Sequence, residues 1–267
     1  MYMAAAIQMI SEPGLKEANI NRGMDLLDEA VTKGADLIVF PELWTTGYYL
    51  SKEEFKGLAE RRDGRTTTLM QEKARSAKKV IISTFPELDP RDNEVFITSC
   101  IIDTDGTIKG FHRKSLLWGR ERDIFKHGKI NFPVYDTSLG RIAVLICYEL
   151  EFPEPSRLLA KRGVDLIAAP SVWSMEAAER WEIQLRARAL DNLLYVLGVN
   201  NVDNNACGKS KLVNPWGTVV SEASGEKETV LLGKVEKDKI GLARSKIPYY
   251  EDFKNRLQFL YSNNNFL

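Results

Sequence analysis

Two segments of the chain share one residue pattern at an offset of 129 positions. Residues 34–44 and residues 163–173 both contain G-x-D-L-I-x-x-P-x-x-W. In each copy a short apolar run ends at a proline, which is typical of a buried strand that stops there, since proline cannot donate to a strand ladder. The repeat therefore predicts two similar halves. The copies differ at one position of chemical interest, because Glu42 follows the first proline and Ser171 follows the second.

The rest of the chain alternates between predicted strands and predicted helices. A hairpin is predicted around Asp105 and Gly106, and a second hairpin and an edge strand are predicted in later segments. This alternation predicts an α/β fold in which two similar α-β-β layers pack sheet to sheet with the helices outside. The predicted strands lie at 4–9, 37–41, 80–85, 140–146, 164–169 and 193–200, and the predicted helices at 15–33, 66–79, 153–162 and 177–191.

Length and composition favour one domain that acts on small molecules. The chain has 267 residues, 44% of them hydrophobic, and no linker-like tract, so we expect a single domain over 1–267. Lys plus Arg and Asp plus Glu each number 37, which argues against nucleic acid or a membrane surface as a partner. The N-terminus lacks the basic flank of a signal peptide, and no apolar run is long enough to span a bilayer. We therefore expect a cytoplasmic protein.

Cys147 is the strongest candidate for a nucleophile. It follows the apolar run 140–146 and precedes a predicted helix. This is the geometry of a nucleophile elbow, where backbone N–H groups near the helix start can stabilise negative charge. A buried structural cysteine would fit the same position. Cys100 and Cys207 are interpreted as structural, and three separated cysteines without C-x-x-C predict neither disulfides nor a metal site.

The thiol needs a base, and Glu42 is the better candidate. His112 lies on a predicted strand and His127 lies in an irregular segment, and neither has an evident relation to Cys147. Burial disfavours the charged form of a carboxylate and raises its pKa, so Glu42 at the exit of a buried strand can act as a base near neutral pH. A solvated loop glutamate is the alternative interpretation. A papain-like pair of Cys147 with a histidine also stays open.

Three motifs, in order along the chain, resemble the signatures of the carbon–nitrogen hydrolase (nitrilase) superfamily. They are P-E-L-W-T-T-G-Y at 41–48, H-R-K-S-L-L-W-G-R-E at 112–121 and C-Y-E-L-E-F-P-E at 147–154. Two further segments are similar to patterns of the same superfamily, R-A-R-A-L-D-N at 186–192 and G-K-S-K-L-V-N-P-W-G at 208–217. The resemblance covers nearly the whole chain.

The resemblance assigns roles to individual residues. It implies that Cys147 is the nucleophile and Glu42 the general base. Lys114 would be the cation that stabilises the oxyanion, together with the backbone N–H of Tyr148. Glu121 matches a second glutamate of many relatives, which would hydrogen-bond Lys114 and orient the substrate. These roles would explain why the two repeats differ, since only one general base is needed.

The resemblance also bears on four more residues. By the same resemblance, Ser171 and Trp173 would line the substrate pocket from the second half of the chain. Glu149 and Glu151 stand where many relatives have Asp and Arg or another residue, so the preferred charge of the substrate stays open. Glu149 is interpreted as a structural carboxylate, with contact to the substrate as the alternative.

The resemblance also implies a fold and an assembly. We expect a nitrilase-like four-layer α-β-β-α sandwich with two pseudo-symmetric halves. It would dimerise by helix packing or form a higher homo-oligomer, and it would need neither a metal nor an organic cofactor. The segment of about 240–267, which contains Tyr249, Tyr250 and Phe253, would dock on a partner subunit. Alternatively, it covers the core of its own subunit.

Within the superfamily, residues 41–50 and 245–257 look most like bacterial amidases that act on small ω-amides such as 2-oxoglutaramate. This likeness implies that the chain hydrolyses a small linear amide to a carboxylate and ammonia. Hydrolysis of an N-carbamoyl amine stays open, and a nitrilase matches less well because true nitrilases have Trp where this chain has Tyr148. The alternative outside the enzymes is a binding or scaffold protein on the same fold.

Overall fold

Two six-stranded sheets form the centre of the protein in the computed structural model, which describes residues 1–203 and 205–257. The first half contains β1 (Tyr2–Gln8), α1 (Lys16–Thr32), β2 (Leu37–Val39), α2 (Lys52–Leu58), α3 (Arg65–Ala77), β3 (Val80–Asp89), β4 (Glu94–Ile102) and β5 (Ile108–Arg113). The remainder contains α4 (Glu121–Ile124), β6 (Tyr135–Thr137), β7 (Gly140–Val144), α5 (Pro153–Lys161), β8 (Leu166–Ser171), α6 (Ala178–Asn192), β9 (Tyr195–Asn200), β10 (Lys211–Val213), β11 (Val219–Glu222), β12 (Thr229–Val235), α7 (Lys237–Lys246) and α8 (Tyr249–Asp252).

The two sheets have the same strand order and the same directions. The first has the order β12-β1-β2-β3-β4-β5 and the second, listed from the matching end, β6-β7-β8-β9-β10-β11. The three strands β1, β2 and β3 are parallel, as are β7, β8 and β9, and the outer pairs of both sheets are antiparallel. The repeated strands β2 and β8 occupy equivalent places, which confirms the predicted pseudo-symmetry.

Alternating side chains of the central strands fill two different layers of the core. Leu37 and Val39 of β2 belong to one apolar cluster together with Val144 of β7 in the second sheet. Ile38 points the other way and packs with residues of α1 and α3 such as Leu27. Both faces of the strand are therefore buried, which explains its continuous apolar run. The resulting order of layers is helix, sheet, sheet, helix, and the predicted α/β sandwich is confirmed.

The predicted helices agree with the structure to within two residues at each end. Local sequence signals account for several of these boundaries. Gly34 adopts a φ of +82° directly after α1, the left-handed conformation that commonly ends a helix. Pro153 occupies the first turn of α5, where its fixed φ is favourable. Within residues 1–203 and 205–257, no helix combines the length and the apolar character needed to cross a membrane.

The described part of the C-terminal segment packs on its own chain. Ile240 and Ala243 of α7 are buried, and the Tyr250 hydroxyl donates to the main-chain oxygen of Asn192 at 2.7 Å. Tyr249 is largely exposed. Residues 258–267 lie outside the described residues, so the docking of this segment on a partner stays a prediction.

The close approach of α1 to the turn after Glu42 requires glycine at position 23. A Cβ at this position would lie 2.3 Å from Cζ3 of the buried Trp44, whereas Gly241 of α7 is exposed and has no neighbouring atom within 4 Å. We expect Gly23→Ala to lower the free energy of unfolding by about 1–3 kcal/mol, because the indole must move. Gly241→Ala should raise it by about 0.5–1 kcal/mol, since alanine loses less backbone entropy in a helix. Urea unfolding of both variants checks this, and equal stability of the two would contradict it.

Candidate active site

Glu42 is completely buried just beyond the end of β2. The strand ends at Val39, and after Glu42 the chain turns at Leu43, which has a φ of +53°. The carbonyl of Leu43 accepts a hydrogen bond from the Gly47 N–H at 2.9 Å, which closes the turn. From the second half of the chain, the Asn201 side-chain amide donates to the main-chain carbonyl of Glu42 at 3.4 Å. The backbone around Glu42 is thus fixed by both halves.

Lys114 follows β5 and carries an ammonium group with no exposed surface. Its Nζ donates to Glu42 Oε1 at 2.7 Å and to Glu121 Oε1 at 2.8 Å. The main chain of Lys114 is held on both sides, because its N–H donates to the Ile97 carbonyl and its carbonyl accepts from the Gly128 N–H. A buried cation is costly without partners, and here two carboxylates surround it.

Glu121 begins the short helix α4 and is also buried. One carboxylate oxygen, Oε1, accepts from Lys114 and from the Tyr48 hydroxyl at 2.8 Å. The other oxygen accepts from the Trp118 N–H at 2.9 Å. Glu121 therefore holds Lys114 from the side opposite Glu42, as the motif resemblance predicted for its position, while its catalytic role stays a prediction.

Cys147 lies at the turn between β7 and α5, in a strained conformation. Its φ is +49°, a left-handed value that non-glycine residues adopt rarely and that recurs at functional turns. The sulfur lies 3.9 Å from the Val172 carbonyl oxygen, and the Val172 N–H donates to Glu42 Oε2 at 3.2 Å. The main chain of one residue, Val172, therefore contacts both the candidate nucleophile and the candidate base.

The protonation states follow from burial and from the neighbouring charges. Burial raises the Glu42 pKa to about 7, with the Glu121 charge acting in the same direction and Lys114 opposing it. Burial alone would lower the Lys114 pKa, but Glu121 and Glu42 outweigh it and the pKa lies well above its ordinary value. Burial and the Glu42 charge raise the pKa of the Cys147 thiol. The site thus holds a charged Lys114, a protonated thiol and a carboxylate that titrates near neutral pH.

A cleft of about 470 Å³ leads to Cys147 from the surface. Its walls include five aromatic residues, and the Trp118 and Tyr148 rings lie 4.9 Å apart. Trp173 and Tyr148 both line the cleft, and the role of Trp173 in holding a substrate stays a prediction. A larger cavity of about 520 Å³ along α5 contains none of the predicted catalytic residues, so the chemistry rather than the size of a cavity identifies the candidate site.

Ser171 does not line the cleft, contrary to its predicted placement. It remains within β8, paired with Asn200, and its hydroxyl donates to the Ala169 carbonyl of its own strand at 3.0 Å. The reason is the length of the strand. Whereas β2 ends at Val39, three residues before Glu42, β8 continues through the second proline, and Val172 reaches the cleft in place of Ser171.

The two glutamates after Tyr148 have different surroundings. Glu151 lines the cleft and forms an ion pair with Arg180 at 2.9 Å. Glu149 is completely buried, does not line the cleft, and lies 2.7 Å from the Nε2 atom of His112. The interpretation of Glu149 as a structural carboxylate is consistent with this position.

Neither histidine lies in the arrangement that a papain-like mechanism requires. His112 is engaged by the Glu149 carboxylate, and the Nδ1 atom of His127 lies 2.7 Å from the Ser115 carbonyl oxygen. In the part of the chain that the structure describes, no hydrogen bond joins either ring to Cys147. In the same part of the chain, no group of three or more His, Cys, Asp or Glu residues is arranged to hold a metal ion.

Sequence reasoning did not single out two contacts of the site. Tyr48 belongs to the first motif, six positions after Glu42, and that spacing was the available signal for its contact with Glu121. Val172 contributes its main-chain N–H and carbonyl rather than its side chain, so its residue type carries no signal.

Comparison with known proteins agrees with this geometry. A family model for carbon-nitrogen hydrolases matches residues 3–245. The chain is 31% identical to the probable nitrilase C965.09 of Schizosaccharomyces pombe, covering 96% of each chain, and 31% identical to omega-amidase NIT2-A of Xenopus laevis, covering 92% of this chain and 93% of the relative. The crystal structure of Saccharomyces cerevisiae Nit3, a member of branch 10 of the nitrilase superfamily, superposes with a TM-score of 0.86 at 28% identity, covering 92% of this chain and 94% of that one. The resemblance of the motifs is thereby confirmed, and the chain belongs to the carbon–nitrogen hydrolase family of the nitrilase superfamily.

Proposed function

We propose that this carbon–nitrogen hydrolase cleaves the C–N bond of a small linear amide, giving a carboxylate and ammonia, through a thioester on Cys147. The proposal rests on the buried Lys114 ammonium, which is bound to Glu42 and Glu121, and on the main chain of Val172, which contacts both Glu42 and Cys147. A base, a cation and a thiol within one buried cluster are the components that acyl transfer requires. The names of the relatives, a nitrilase and an omega-amidase, support the same reaction class.

In the first half of the reaction, Glu42 accepts the thiol proton and the sulfur of Cys147 attacks the amide carbon. The electron pair of the C=O bond moves to oxygen, and the Lys114 ammonium and the Tyr148 N–H stabilise this oxyanion. Glu42 then donates its proton to the amide nitrogen, the C–N bond breaks, and ammonia leaves. A thioester on Cys147 remains.

In the second half, Glu42 removes a proton from a water molecule whose oxygen attacks the thioester carbon. A second oxyanion forms beside Lys114, the C–S bond breaks, and Cys147 regains a proton as the carboxylate is released. Because Glu42 alternates between base and acid, a pKa of about 7 serves both half-reactions at neutral pH.

We propose ω-amides as the substrate class. The cleft volume of about 470 Å³ suits a small ligand, and its lining includes Arg120 and the ion pair of Glu151 with Arg180. These charged groups suit a short polar amide better than a long apolar one. The omega-amidase relative has a matching activity in its name. N-carbamoyl amines and nitriles are the alternative substrates.

We also propose that the chain is one domain that works as a cytoplasmic homodimer. Its three cysteines are free and buried, which fits a reducing compartment. Leu158 on α5 and Ile183 and Leu190 on α6 are exposed apolar side chains on the two helices that cover the second sheet, and a partner would bury them.

Removing the Cys147 thiol tests the proposed nucleophile. With Cys147→Ala, ammonia release from the amide that wild type hydrolyses should fall by at least about a thousandfold, because no thioester can form. Cys100→Ala is the matched control, since Cys100 is a buried cysteine on β4 outside the cleft, and it should retain activity. The assay uses a panel of ω-amides, aliphatic amides, N-carbamoyl amines and nitriles. Retained activity of Cys147→Ala would overturn the proposed function.

The pH dependence of kcat/KM tests the raised pKa of Glu42. Glu42 must be ionised to accept the thiol proton, and its pKa is raised to about 7, so kcat/KM should rise with pH and reach half its maximum near pH 7. The Glu121 charge contributes to that rise in pKa, so Glu121→Gln should move the acid limb to lower pH. Measuring kcat/KM against pH for wild type and for Glu121→Gln checks both expectations. An acid limb near pH 4.5, the ordinary pKa of a glutamate, would contradict the account.

The mass of the protein in solution tests the proposed homodimer. Light scattering after gel filtration should give about twice the chain mass of 30.2 kDa. Ile183→Glu should shift the protein toward the mass of one chain, because a buried charge would oppose packing of the exposed face of α6. A single-chain mass for wild type would rule out the homodimer.

A further inference from the structure

Among the carboxylates beside the candidate active site, that of Glu149 accepts the most hydrogen bonds. It is completely buried, and its two oxygens accept hydrogen bonds from three residues. Oε1 accepts from the N–H and the hydroxyl of Ser115 at 2.7 and 2.6 Å. Oε2 accepts from the Ile146 N–H at 2.8 Å and lies 2.7 Å from His112 Nε2. The four lone-pair positions of the carboxylate are therefore all used.

These partners keep the buried group ionised. Burial works to raise the Glu149 pKa, but His112 and the hydrogen bonds from Ser115 outweigh it and the pKa is lowered below its ordinary value. A buried carboxylate of this kind stays ionised only while its donors are in place. The donors in turn depend on the carboxylate, because no solvent is present to accept their hydrogen bonds instead. The carboxylate and its donors thus fix one another.

The two main-chain donors are the immediate neighbours of the candidate catalytic residues. Ser115 follows Lys114, and Ile146 precedes Cys147. The first lies after β5 of one sheet, and the second lies after β7 of the other sheet. One carboxylate therefore joins the two sheets where the ammonium and the thiol must meet.

The bond to Ile146 also closes the strained turn of the nucleophile. Cys147 has a φ of +49°, and the Glu149 side chain returns to the Ile146 N–H across this residue while the Glu149 N–H donates to the Ile146 carbonyl at 3.1 Å. Residues in such conformations persist when the surrounding structure holds them. Glu149 supplies two of the bonds that do so.

We propose that Glu149 is a positioning residue, whose carboxylate fixes Cys147 relative to Lys114 and Glu42 without contacting the substrate. The proposal rests on the proposed function, since it assigns Glu149 to the same thiol chemistry. All four lone-pair positions of Glu149 are taken by protein groups, which leaves none for a substrate, so its loss should lower kcat and leave KM nearly unchanged. A displacement of about 1 Å between reacting groups can cost about a hundredfold in rate.

Glutamine at this position would keep the volume of the side chain but replace one of its two acceptor oxygens with an NH₂ group. Its amide nitrogen would face N–H and O–H donors where a carboxylate oxygen now accepts, so at least one of the Ser115, Ile146 and His112 contacts would be lost. Aspartate would keep the charge but could not span the same donors with its shorter side chain.

The test compares Glu149→Gln with Glu87→Gln. Glu87 on β3 is also buried and bound to Thr98 and Arg113, but lies outside the cleft, so its replacement controls for the general cost of losing a buried carboxylate. Mass spectrometry of iodoacetamide-treated protein gives the fraction of molecules whose Cys147 reacts. This fraction sets the concentration of reactive sites. Per reactive site, kcat of Glu149→Gln should fall about a hundredfold with KM within about threefold, whereas Glu87→Gln should match wild type.

The labelling rate gives a readout that needs no substrate. Cys147 in Glu149→Gln should react about tenfold more slowly at pH 7, because the thiol no longer lies in place beside Lys114 and Glu42. This readout separates the two proposals, since failure of wild type to hydrolyse any amide would contradict the proposed function and leave the labelling comparison valid. A kcat per reactive site and a labelling rate within threefold of wild type would overturn the positioning role.

A milder variant keeps the test decisive if Glu149→Gln does not fold. Ser115→Ala removes one of the four donors and retains the main-chain bond. It should lower the thermal midpoint by only a few degrees and lower kcat per reactive site about three- to tenfold, with KM within twofold. An unchanged kcat in this variant would contradict the proposal.

Discussion

The rest of the candidate site depends on the Lys114 ammonium, which lies between two buried carboxylates. A buried cation with a single partner would leave donors unsatisfied, and two carboxylates without a cation would repel each other. Together, Glu42, Lys114 and Glu121 form a cluster with one excess negative charge when all are ionised. Burial raises the Glu42 pKa to about 7, and the Glu121 charge adds to the rise while Lys114 opposes it. The pKa that a general base needs therefore follows from the burial of the cluster, with the second carboxylate offsetting part of the effect of the cation.

The fold brings this cluster together from distant parts of the chain. Glu42 follows β2 and Lys114 follows β5 in the first sheet, whereas Cys147 follows β7 and Val172 follows β8 in the second. The sheets face each other across a continuous apolar core, which excludes water from behind the cluster. Pseudo-symmetry places β2 and β8 at equivalent positions in the two sheets, and the second half contributes the main-chain N–H of Val172, which donates to Glu42.

Much of this was predictable from the sequence, and the rest was hidden for identifiable reasons. Buried strands have continuous apolar runs and helices have start and end signals, so the layers and the place of Glu42 followed from pattern and motif. Ser171 was misplaced because the repeat suggests equal strand lengths, while backbone pairing extends β8 past its proline. The contacts of Val172 depend on its main chain, and those of Glu149 depend on the meeting of two sheets, neither of which a residue type encodes.

The most direct test of the central claim is to look for the covalent intermediate. Wild type would be mixed with its best amide substrate, quenched in acid within milliseconds to seconds, digested and analysed by mass spectrometry. The account predicts an adduct on the peptide that contains Cys147, with the mass of the substrate less ammonia. An adduct on another residue, or rapid turnover with no adduct at any time, would contradict a thioester formed beside Lys114 and Glu42.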